Sequence, residues 1–327
     1  MSSEGLVVGF LQGGLRFGEA QRSGPLTVVP VFHDCEAVPY RLFAEAAAAG
    51  VVLVEEVEGG SVPELRVVNR GDAAVLLLEG EVLGGLRQTR TLNTTVLVPA
   101  GAVLVIPVSC VEAGRWGMAG PVVREELHAS PQIRASKNAG VQEQARQDGG
   151  YRSHQGEVWG AVDRHLSLHQ VGSPTASYAE VQHRRRDDIE EVTRALQPVA
   201  GQRGVLAVVG ERPVALDVFD RPETLAALWH GLVGSYAADA LVAPGQQGEG
   251  ALEAAVARVS ALGQGGASAH TAGGAGEVVF LTCPGAVVSA LVIGSAMVHL
   301  AALWANGGPA SGEGRAGERH SWFGGAG

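Results

Sequence analysis

Short apolar runs, each ended by turn residues, limit this chain to a fold with many strands. In the first third of the chain they cover residues 26–33, 51–57, 65–68, 74–78, 94–98 and 102–108. Val-rich runs of this length, separated by Gly, Asn, Asp or Pro, predict β-strands joined by turns. Further runs predict strands in the last third, at residues 204–209, 214–218, 277–282, 286–293 and 296–303.

The stretches between these runs have helical spacing or helix-terminal residues. Residues 40–49 are Ala-rich and stop at Gly50, and apolar side chains recur at helical intervals over 156–168 and 177–196. Asp220 is placed to cap a helix that extends to residue 241, and an Ala-rich helix is predicted over residues 251–262. Polar or Gly-rich loops are predicted between Lys137 and Tyr151 and over residues 263–276.

Strands, then helices, then strands again predict an α+β fold and not a regular series of βαβ units. We predict one domain over residues 1–304, which is strand-rich at 20–116, mainly helical at 130–200 and mixed at 201–304. Residues 305–327 are rich in Gly and lack apolar spacing, so they predict a disordered tail.

Charge and composition exclude several classes of protein. The formal net charge is −10 and the longest basic run is the three arginines at 184–186, which argues against generic nucleic-acid binding through phosphates. Residues 286–303 are apolar, but they favour two strands over a membrane helix. Without the basic region of a secretory signal, the chain is predicted to be cytoplasmic. The three cysteines lie far apart, so we predict neither a disulfide framework nor a cysteine-only zinc site.

The polar motif, residues 79–93, places charged and amide side chains between two apolar strands. Such density predicts the rim of a pocket in which carboxylates and guanidinium groups are held against each other. The alternative is a solvated hairpin with cross-strand ion pairs. Lys137 is the single lysine among 24 basic residues, so Arg alone says little, and the Glu, Gln and Asn beside it carry the prediction. The motif contains Glu79, Glu81, Arg87, Gln88, Arg90 and Asn93.

Two further segments contain residue types that are used in catalysis or metal binding. Cys110 follows an apolar strand and precedes Glu112, Arg115 and Trp116. A thiol beside an Arg is placed to act as a nucleophile, and the alternative is a small buried apolar side chain. His165 and His169 have the spacing of a metal pair on a helix, but the central Glu of a zinc peptidase is missing, which favours a solvated helix face. We therefore predict no metal site, and the sequence identifies no cofactor.

The run LLLEGEVLGGLRQTRTLNTTVLVPAGAVLVIPVSCVEAGRW, residues 76–116, resembles the hallmark of a bacterial and archaeal family, the ARG and Rhodanese-Phosphatase-superfamily-associated Protein domain. QGEVW at 155–159, SPTASYAEV at 173–181 and QRGVLAVVGERPVALDVFD at 202–220 also resemble it. The resemblance spans about residues 20–304. It implies a role near nucleotide, ADP-ribose or phosphoester metabolism, in stress or conflict responses, and it brings no established activity.

We expect one polar pocket that binds or processes a nucleotide, ADP-ribose or another phosphorylated small molecule. Its catalytic candidates are Glu79, Glu81 and Cys110, with either carboxylate as general base. Arg90 and Arg115 would hold a phosphate or carboxylate. The complete set of expected ligand-binding residues is Gln88, Arg90, Asn93, Glu112, Arg115, Trp116, Gln155, Trp159 and Asp217.

The alternative function is a non-catalytic interaction or scaffold module in a stress or conflict system. In that case Glu79, Gln88 and Arg90 pair with one another and line no cavity. The sequence does not decide whether the chain is an enzyme. Its Ala- and Val-rich character makes a homodimer an expectation.

Overall fold

The computed structural model describes residues 1–57, 63–85, 87–115, 123–243 and 250–305. Within them helices and strands are both abundant, which confirms the predicted α+β fold. A π-helical turn at Phe10–Gly14 follows the first helix. The described helices are α1 (Ser3–Gly9), α2 (Phe43–Ala48), α3 (Pro131–Asp148), α4 (Gln155–Leu168), α5 (Tyr178–Arg184), α6 (Arg186–Arg194), α7 (Pro222–Leu241) and α8 (Ala251–Leu262).

Of the 18 strands that the structure describes, eleven lie on the apolar runs predicted from the sequence and seven lie outside them. The strands are β1 (Arg16–Phe17), β2 (Gln21–Ser23), β3 (Leu26–Phe32), β4 (Arg41–Leu42), β5 (Val52–Glu56), β6 (Glu64–Asn69), β7 (Val75–Leu77), β8 (Glu81–Gly84), β9 (Arg90–Leu92), β10 (Val96–Val98), β11 (Val103–Cys110), β12 (Val123–His128), β13 (Gly204–Val209), β14 (Arg212–Phe219), β15 (Gly266–Thr271), β16 (Glu277–Cys283), β17 (Ala286–Ile293) and β18 (Ala296–Trp304).

The large sheet contains nine of the described strands in the order β1-β3-β13-β14-β18-β17-β16-β15, with β2 also paired to β3. Every pair of neighbouring strands in this sheet is antiparallel. Strand β3 pairs with β13 from Val31 opposite Gly204 to Leu26 opposite Val209. The start of the chain therefore completes a sheet that is built mainly from its last third.

Helices cover both faces of the large sheet, and β13 shows how the side chains divide between them. Val205 and Ala207 lie in the core that includes α7, whereas Leu206 and Val208 lie in the core that includes α1 and α8. This division follows from the alternation of side chains along a strand. Because both faces are covered, every residue of β13 is buried, and its sequence is a continuous apolar run.

The polar motif lies in one of two smaller sheets and is flanked along the chain by strands of the other. Six strands lie in the order β12-β8-β9-β11-β6-β5, and three in the order β10-β7-β4, where β4 runs parallel to β7. Strands β8 and β9 form a hairpin in which Val82 lies opposite Thr91 and Leu83 opposite Arg90. The motif therefore forms two paired strands of its own between β7 and β10, where no strand was predicted. Most of its described side chains are buried, which a solvated hairpin would not show.

Helix α3 is the largest departure from the sequence prediction. The residues after Lys137, predicted as a loop, belong to this helix of 18 residues, which begins after Ser130 and ends at Gly149 in the left-handed conformation. The prediction was wrong because the helix buries polar side chains, Arg134 and Lys137 among them. A helix of this kind has no apolar stripe along one face for a sequence pattern to reveal.

Three smaller predictions also need correction. Residues 266–271, predicted as a Gly-rich loop, form the edge strand β15. Asp220 does not cap α7, because its carboxylate accepts hydrogen bonds from the Val38 N–H at 2.8 Å and the Tyr40 hydroxyl at 2.5 Å. The helix predicted over 177–196 is divided into α5 and α6 at Arg185.

The apolar stretch at 286–303 forms β17 and β18, as predicted. No described helix has the length and apolar character needed to cross a membrane. The predicted tail falls outside the described residues after Ala305, and the organisation of residues 1–304 as one domain stays a prediction.

Candidate functional site

The first residues of the motif form a tight turn between β7 and β8. The Glu81 N–H donates to the Leu78 carbonyl at 3.1 Å, and the Glu81 carboxylate accepts from the Leu78 N–H at 2.8 Å. Gly80 has a φ of +89°, and a Cβ there would lie 2.9 Å from Arg134 Nε. Both the backbone angle and this close approach require glycine. The turn brings Glu79 against helix α3.

Glu79 belongs to a buried charge cluster, which we define as Glu79, Arg134, Lys137 and Asp217. Arg134 donates to Glu79 Oε2 at 3.0 and 2.7 Å and to the two Asp217 oxygens at 3.0 and 2.7 Å. Lys137 donates to Glu79 Oε1 at 2.6 Å and to the Leu92 carbonyl. All four side chains are at most 2% exposed. The two negative charges of the carboxylates and the two positive charges of Arg134 and Lys137 therefore neutralise one another out of contact with water.

Asp217 has two further partners on other elements. The Tyr236 hydroxyl of α7 donates to its carboxylate, and His299 Nε2 of β18 lies 3.3 Å from Oδ1. The other ring nitrogen of His299 lies 2.8 Å from the Thr95 hydroxyl, which accepts from the Glu79 N–H at 3.1 Å. These contacts connect the motif to the large sheet and to helices α3 and α7.

The charges in this cluster are fixed by their neighbours. Burial alone would raise the pKa of Glu79, but Arg134 and Lys137 outweigh it and lower the pKa to about 2. Burial lowers the pKa of Lys137 to about 8, although Glu79 opposes the change. The pKa of Asp217 is well below its usual range, because Arg134 and His299 outweigh burial. A buried carboxylate with so low a pKa is a weak general base, so the geometry does not favour Glu79 in that role.

A second group joins Gln88, Arg90 and Cys110. Arg90 Nη1 donates to Gln88 Oε1 at 2.7 Å and to Cys110 Sγ at 2.6 Å, and the Cys110 thiol donates to the same Gln88 oxygen at 3.1 Å. All three side chains are buried, and Glu56 lies 4.0 Å from Arg90 Nη2. Burial raises the pKa of Cys110, although Arg90 acts to lower it. The geometry therefore favours the buried thiol over the nucleophile.

Glu112 organises a third group nearer the surface. Its Oε2 accepts from the Thr89 N–H and hydroxyl at 3.0 and 2.7 Å and from Arg115 Nε at 2.9 Å, and its Oε1 accepts from the Thr175 hydroxyl at 2.8 Å. Burial acts to raise the pKa of Glu112, but the hydrogen bonds from Thr89, Thr175 and Arg115 together outweigh it and the pKa is lowered. The Arg115 side chain is 36% exposed, so this group reaches solvent.

Asn93, held by Ser109, attaches the motif to the segment between α3 and α4, and Gln155 attaches β11 to the start of α4. Asn93 Nδ2 donates to the Tyr151 carbonyl at 2.8 Å, and the Ser109 hydroxyl donates to Asn93 Oδ1 at 2.6 Å. The Gln155 side-chain amide accepts from the Cys110 N–H at 2.9 Å and donates to the Cys110 carbonyl at 2.8 Å. These hydrogen bonds all serve to hold backbone and side chains of the protein itself.

The predicted site residues thus lie in separate groups. Glu79 and Asp217 share one guanidinium, whereas Gln88 and Arg90 belong to the second group. Glu81 borders a cavity of about 50 Å³, well below the roughly 300 Å³ of the smallest common ligand sites.

The two predicted tryptophans and the metal prediction have different outcomes. Trp116 lies outside the described residues. Trp159 is half-buried on α4, and its Nε1–H has no hydrogen-bond partner in the described part of the chain. Across the described ranges, no three His, Cys, Asp or Glu side chains are arranged to hold a metal ion.

The family model described as the ARG and Rhodanese-Phosphatase-superfamily-associated Protein domain matches residues 14–303. The chain belongs to this family. The match covers the charge cluster and both other groups of motif contacts, so the family resemblance of residues 76–116 is confirmed. No curated protein and no solved structure matches the chain. The family's description names associated proteins and no reaction.

The motif's partners Arg134, Lys137, Tyr236 and His299 were not found from the sequence. Arg134 and Lys137 lie in a helix without an apolar stripe, and the other two lie in apolar segments. Composition held one usable signal. In a chain that otherwise uses Arg, the single Lys occupies a position where a compact ammonium contacts Glu79 and two backbone carbonyls.

A cavity of about 810 Å³ lies away from the motif, at one end of the large sheet. It is bounded by the start of β14, the end of α8, the turn after β16 and the end of β18. The side chains of Arg212 and Arg258 are exposed and form no hydrogen bond or ion pair with any described residue. Trp304 is half-buried, and no acidic side chain is among the described lining residues. We call this cavity the arginine groove, defined by Arg212, Arg258 and Trp304.

Proposed function

We propose that this chain binds a phosphorylated small molecule in the arginine groove. The observation that supports this is the presence of two unpartnered guanidinium groups and one aromatic ring around a single described cavity. Its volume of about 810 Å³ falls within the roughly 300–1,000 Å³ typical of small-molecule sites. In a chain of net charge −10, a cavity with this lining is suited to an anion.

The chemistry of the groove favours a nucleotide or ADP-ribose within that class. Guanidinium groups bind phosphate oxygens through paired hydrogen bonds. The indole of Trp304 offers a face on which a planar base can stack. A ligand with both a phosphate and a base would use both features, and such ligands agree with the metabolic neighbourhood that the family resemblance implies.

The groups around the motif support a binding module more than a catalyst. Glu79, Gln88 and Arg90 are buried, and each is hydrogen-bonded within the protein. Gln88 and Arg90 pair with each other, as the second hypothesis of a non-catalytic module expects, whereas Glu79 pairs with Arg134 and Lys137 instead. A domain that binds its ligand in the groove without transforming it agrees with both observations.

The expected homodimer has one supporting observation. Val103 and Val105 of β11 are each 51% exposed, and they point to the same side of the six-stranded sheet because they are two residues apart. We propose this side as the contact between two copies. Light scattering during gel filtration would show a dimer in the natural chain and a monomer after Val103→Asp with Val105→Asp.

A cytoplasmic location is also part of the proposal. Cys35, Cys110 and Cys283 are all free thiols. Unpaired cysteines are typical of reducing compartments.

Calorimetric titration and thermal unfolding with ADP, ADP-ribose, ribose 5-phosphate and adenosine test the binding proposal. ADP and ADP-ribose should raise the unfolding midpoint most, since a ligand that binds only the native state stabilises it. Arg212→Gln combined with Arg258→Gln should abolish the shift. Trp304→Leu should weaken the binding of ADP and leave the binding of ribose 5-phosphate unchanged. Arg164→Gln, on an exposed position of α4, is the matched control and should change nothing.

Two results would overturn the proposal. One is the absence of a shift with all four ligands. The other is a ligand-induced shift that persists when both groove arginines are replaced. If that shift is then lost in Arg115→Gln, the ligand binds near the polar motif and not in the arginine groove.

A further inference from the structure

Asp239 is a buried carboxyl that belongs neither to the charge cluster nor to the arginine groove. It lies on α7, three residues after Tyr236, and is 3% exposed. Neither of its oxygens has a hydrogen bond of normal geometry in the described part of the chain. The Ser130 hydroxyl and the Gln132 N–H lie close enough to favour its charged form. A buried charge with so little compensation is costly.

Two imidazoles of the α4 segment complete the site. His165 Nδ1 lies 3.6 Å from Asp239 Oδ1, and the ring centres of His165 and His169 are 4.6 Å apart. Both histidines are buried, so the solvated helix face predicted from their spacing is wrong. His165 Nε2 has no hydrogen-bond partner among the described residues.

Two other groups face this site from neighbouring helices. The ring of Tyr178 on α5 lies 5.3 Å from that of His165, and its hydroxyl donates to the His128 carbonyl at 2.7 Å. Arg185, between α5 and α6, has its Nε 3.0 Å from Asp188 Oδ2, and its charge opposes protonation of His169. Tyr178 is neutral and Arg185 is already paired, so neither compensates an ionised Asp239.

We propose that Asp239 carries a proton in the folded chain, held beside His165, and that this proton makes the packing of α4 and α5 on α7 sensitive to pH. The three side chains are then neutral together. Loss of the proton leaves a carboxylate between helices, and the helices must separate or His165 must take up a proton to compensate it.

The titration of the three groups agrees with this geometry. Burial raises the pKa of Asp239 to about 7, against the opposite effect of Ser130 and Gln132. Burial lowers the pKa of His165 to about 3 and that of His169 to about 4. The pKa of Asp239 is higher in the folded than in the unfolded chain, so the stability gained from its proton is lost as the pH rises through about 7. The pKa values of His165 and His169 are lower in the folded than in the unfolded chain, so the stability that depends on their neutral form is lost as the pH falls below about 6.5.

The test compares urea unfolding of the natural chain and Asp239→Asn from pH 5 to pH 9. Asp239→Asn removes the titrating carboxyl together with any protonation of His165 that depends on it, so the difference between the two midpoints reports the ionisation of Asp239. This difference should change in favour of Asn as the pH rises and level off above about pH 8. Asp163→Asn, on the exposed side of α4, is the control and should show a difference that is independent of pH. A pH-independent difference for Asp239→Asn would overturn the proposal.

Infrared spectroscopy of the natural chain keeps the proposal testable if Asp239→Asn does not fold. A protonated buried carboxyl band should be present at pH 6 and disappear reversibly towards pH 9. Asp220 is another buried carboxyl with a raised pKa and is therefore the alternative source of such a band. If the band comes from Asp239, the Asp220→Asn variant should keep it. A band that disappears in Asp220→Asn, or no band, would refute the buried proton. Stabilisation by Zn²⁺ that requires Asp239 would replace the proton site with a metal site.

Discussion

Arg134 holds one carboxylate oxygen of Glu79 with two hydrogen bonds, at 3.0 and 2.7 Å, across 55 positions of sequence. The same guanidinium binds Asp217, so a single side chain joins the motif to β14. A buried ion pair contributes less net stability than its short distances suggest, but leaving one partner alone is costly. The charged side chain of Glu79 thus faces the protein interior, where the sheet of the motif meets the large sheet.

Glu79→Gln should destabilise the chain by about 3–5 kcal/mol, because Arg134 and Lys137 would then be buried with less than their balancing charge. Urea unfolding at pH 7 measures the loss. Glu157→Gln, at an exposed position of α4, is the matched control and should stay within about 0.5 kcal/mol of the natural chain. A similar small loss for both variants would contradict the role given to Glu79.

Acidification should remove the contribution of Glu79. Its pKa is lowered by Arg134 and Lys137 to about 2, so its stabilisation is complete above about pH 4.5 and is lost as the pH falls towards 2. The gap in unfolding free energy between the natural chain and Glu79→Gln should therefore narrow from pH 6 to pH 2.5. A gap of constant size would show that the Glu79 charge is not the source of the effect.

Gly80→Ala should destabilise more than Gly101→Ala. Both glycines have positive φ, which costs a residue with a Cβ about 1–2 kcal/mol. At Gly101 nothing lies within 4 Å of the added Cβ, whereas at Gly80 it meets Arg134 Nε and His128 Cδ2 at 2.9 Å. The difference between the two variants in urea unfolding isolates the close approach. Equal losses would indicate that the turn can shift away from α3.

Thiol labelling should distinguish Cys110 from the other cysteines. Cys110 is completely buried, whereas Cys35 and Cys283 are half-buried. In the native chain a disulfide reagent should modify Cys35 and Cys283 first, and Cys110 only on unfolding. Mass spectrometry of digested, labelled protein gives the order. Fast native labelling of Cys110 would restore it as a candidate nucleophile.

The strands could be predicted from the sequence because their side chains have few alternatives. Residues 204–209 form a continuous apolar run, and such a run is buried in a sheet whose faces are both covered. Helix α3 could not be predicted in the same way. Its buried face carries Arg134, Lys137, Asn138 and Gln142, and their burial depends on partners that lie far away in sequence.

The same reason explains the outcome for the candidate site. The density of polar residues around Glu79 and Arg90 coincides with two buried groups, one in which Glu79 binds Arg134 and one in which Arg90 binds Gln88. It did not show which way they face, because Asp217 and Arg134 reach the motif only through the tertiary fold. The arginine groove had no signal at all, since its Arg residues resemble the rest of an Arg-biased chain.

Lys137 is the only lysine, and its ammonium is sealed beneath the motif. The native chain therefore presents no lysine side chain to acylating reagents, amine cross-linkers or lysine-modifying enzymes. A lysine-specific protease has a single bond to cut, between Lys137 and Asn138 in the middle of a helix. Cleavage at that bond divides the chain into two large fragments and requires that the core around α3 opens. The rate at which the fragments form would therefore measure how often the core opens.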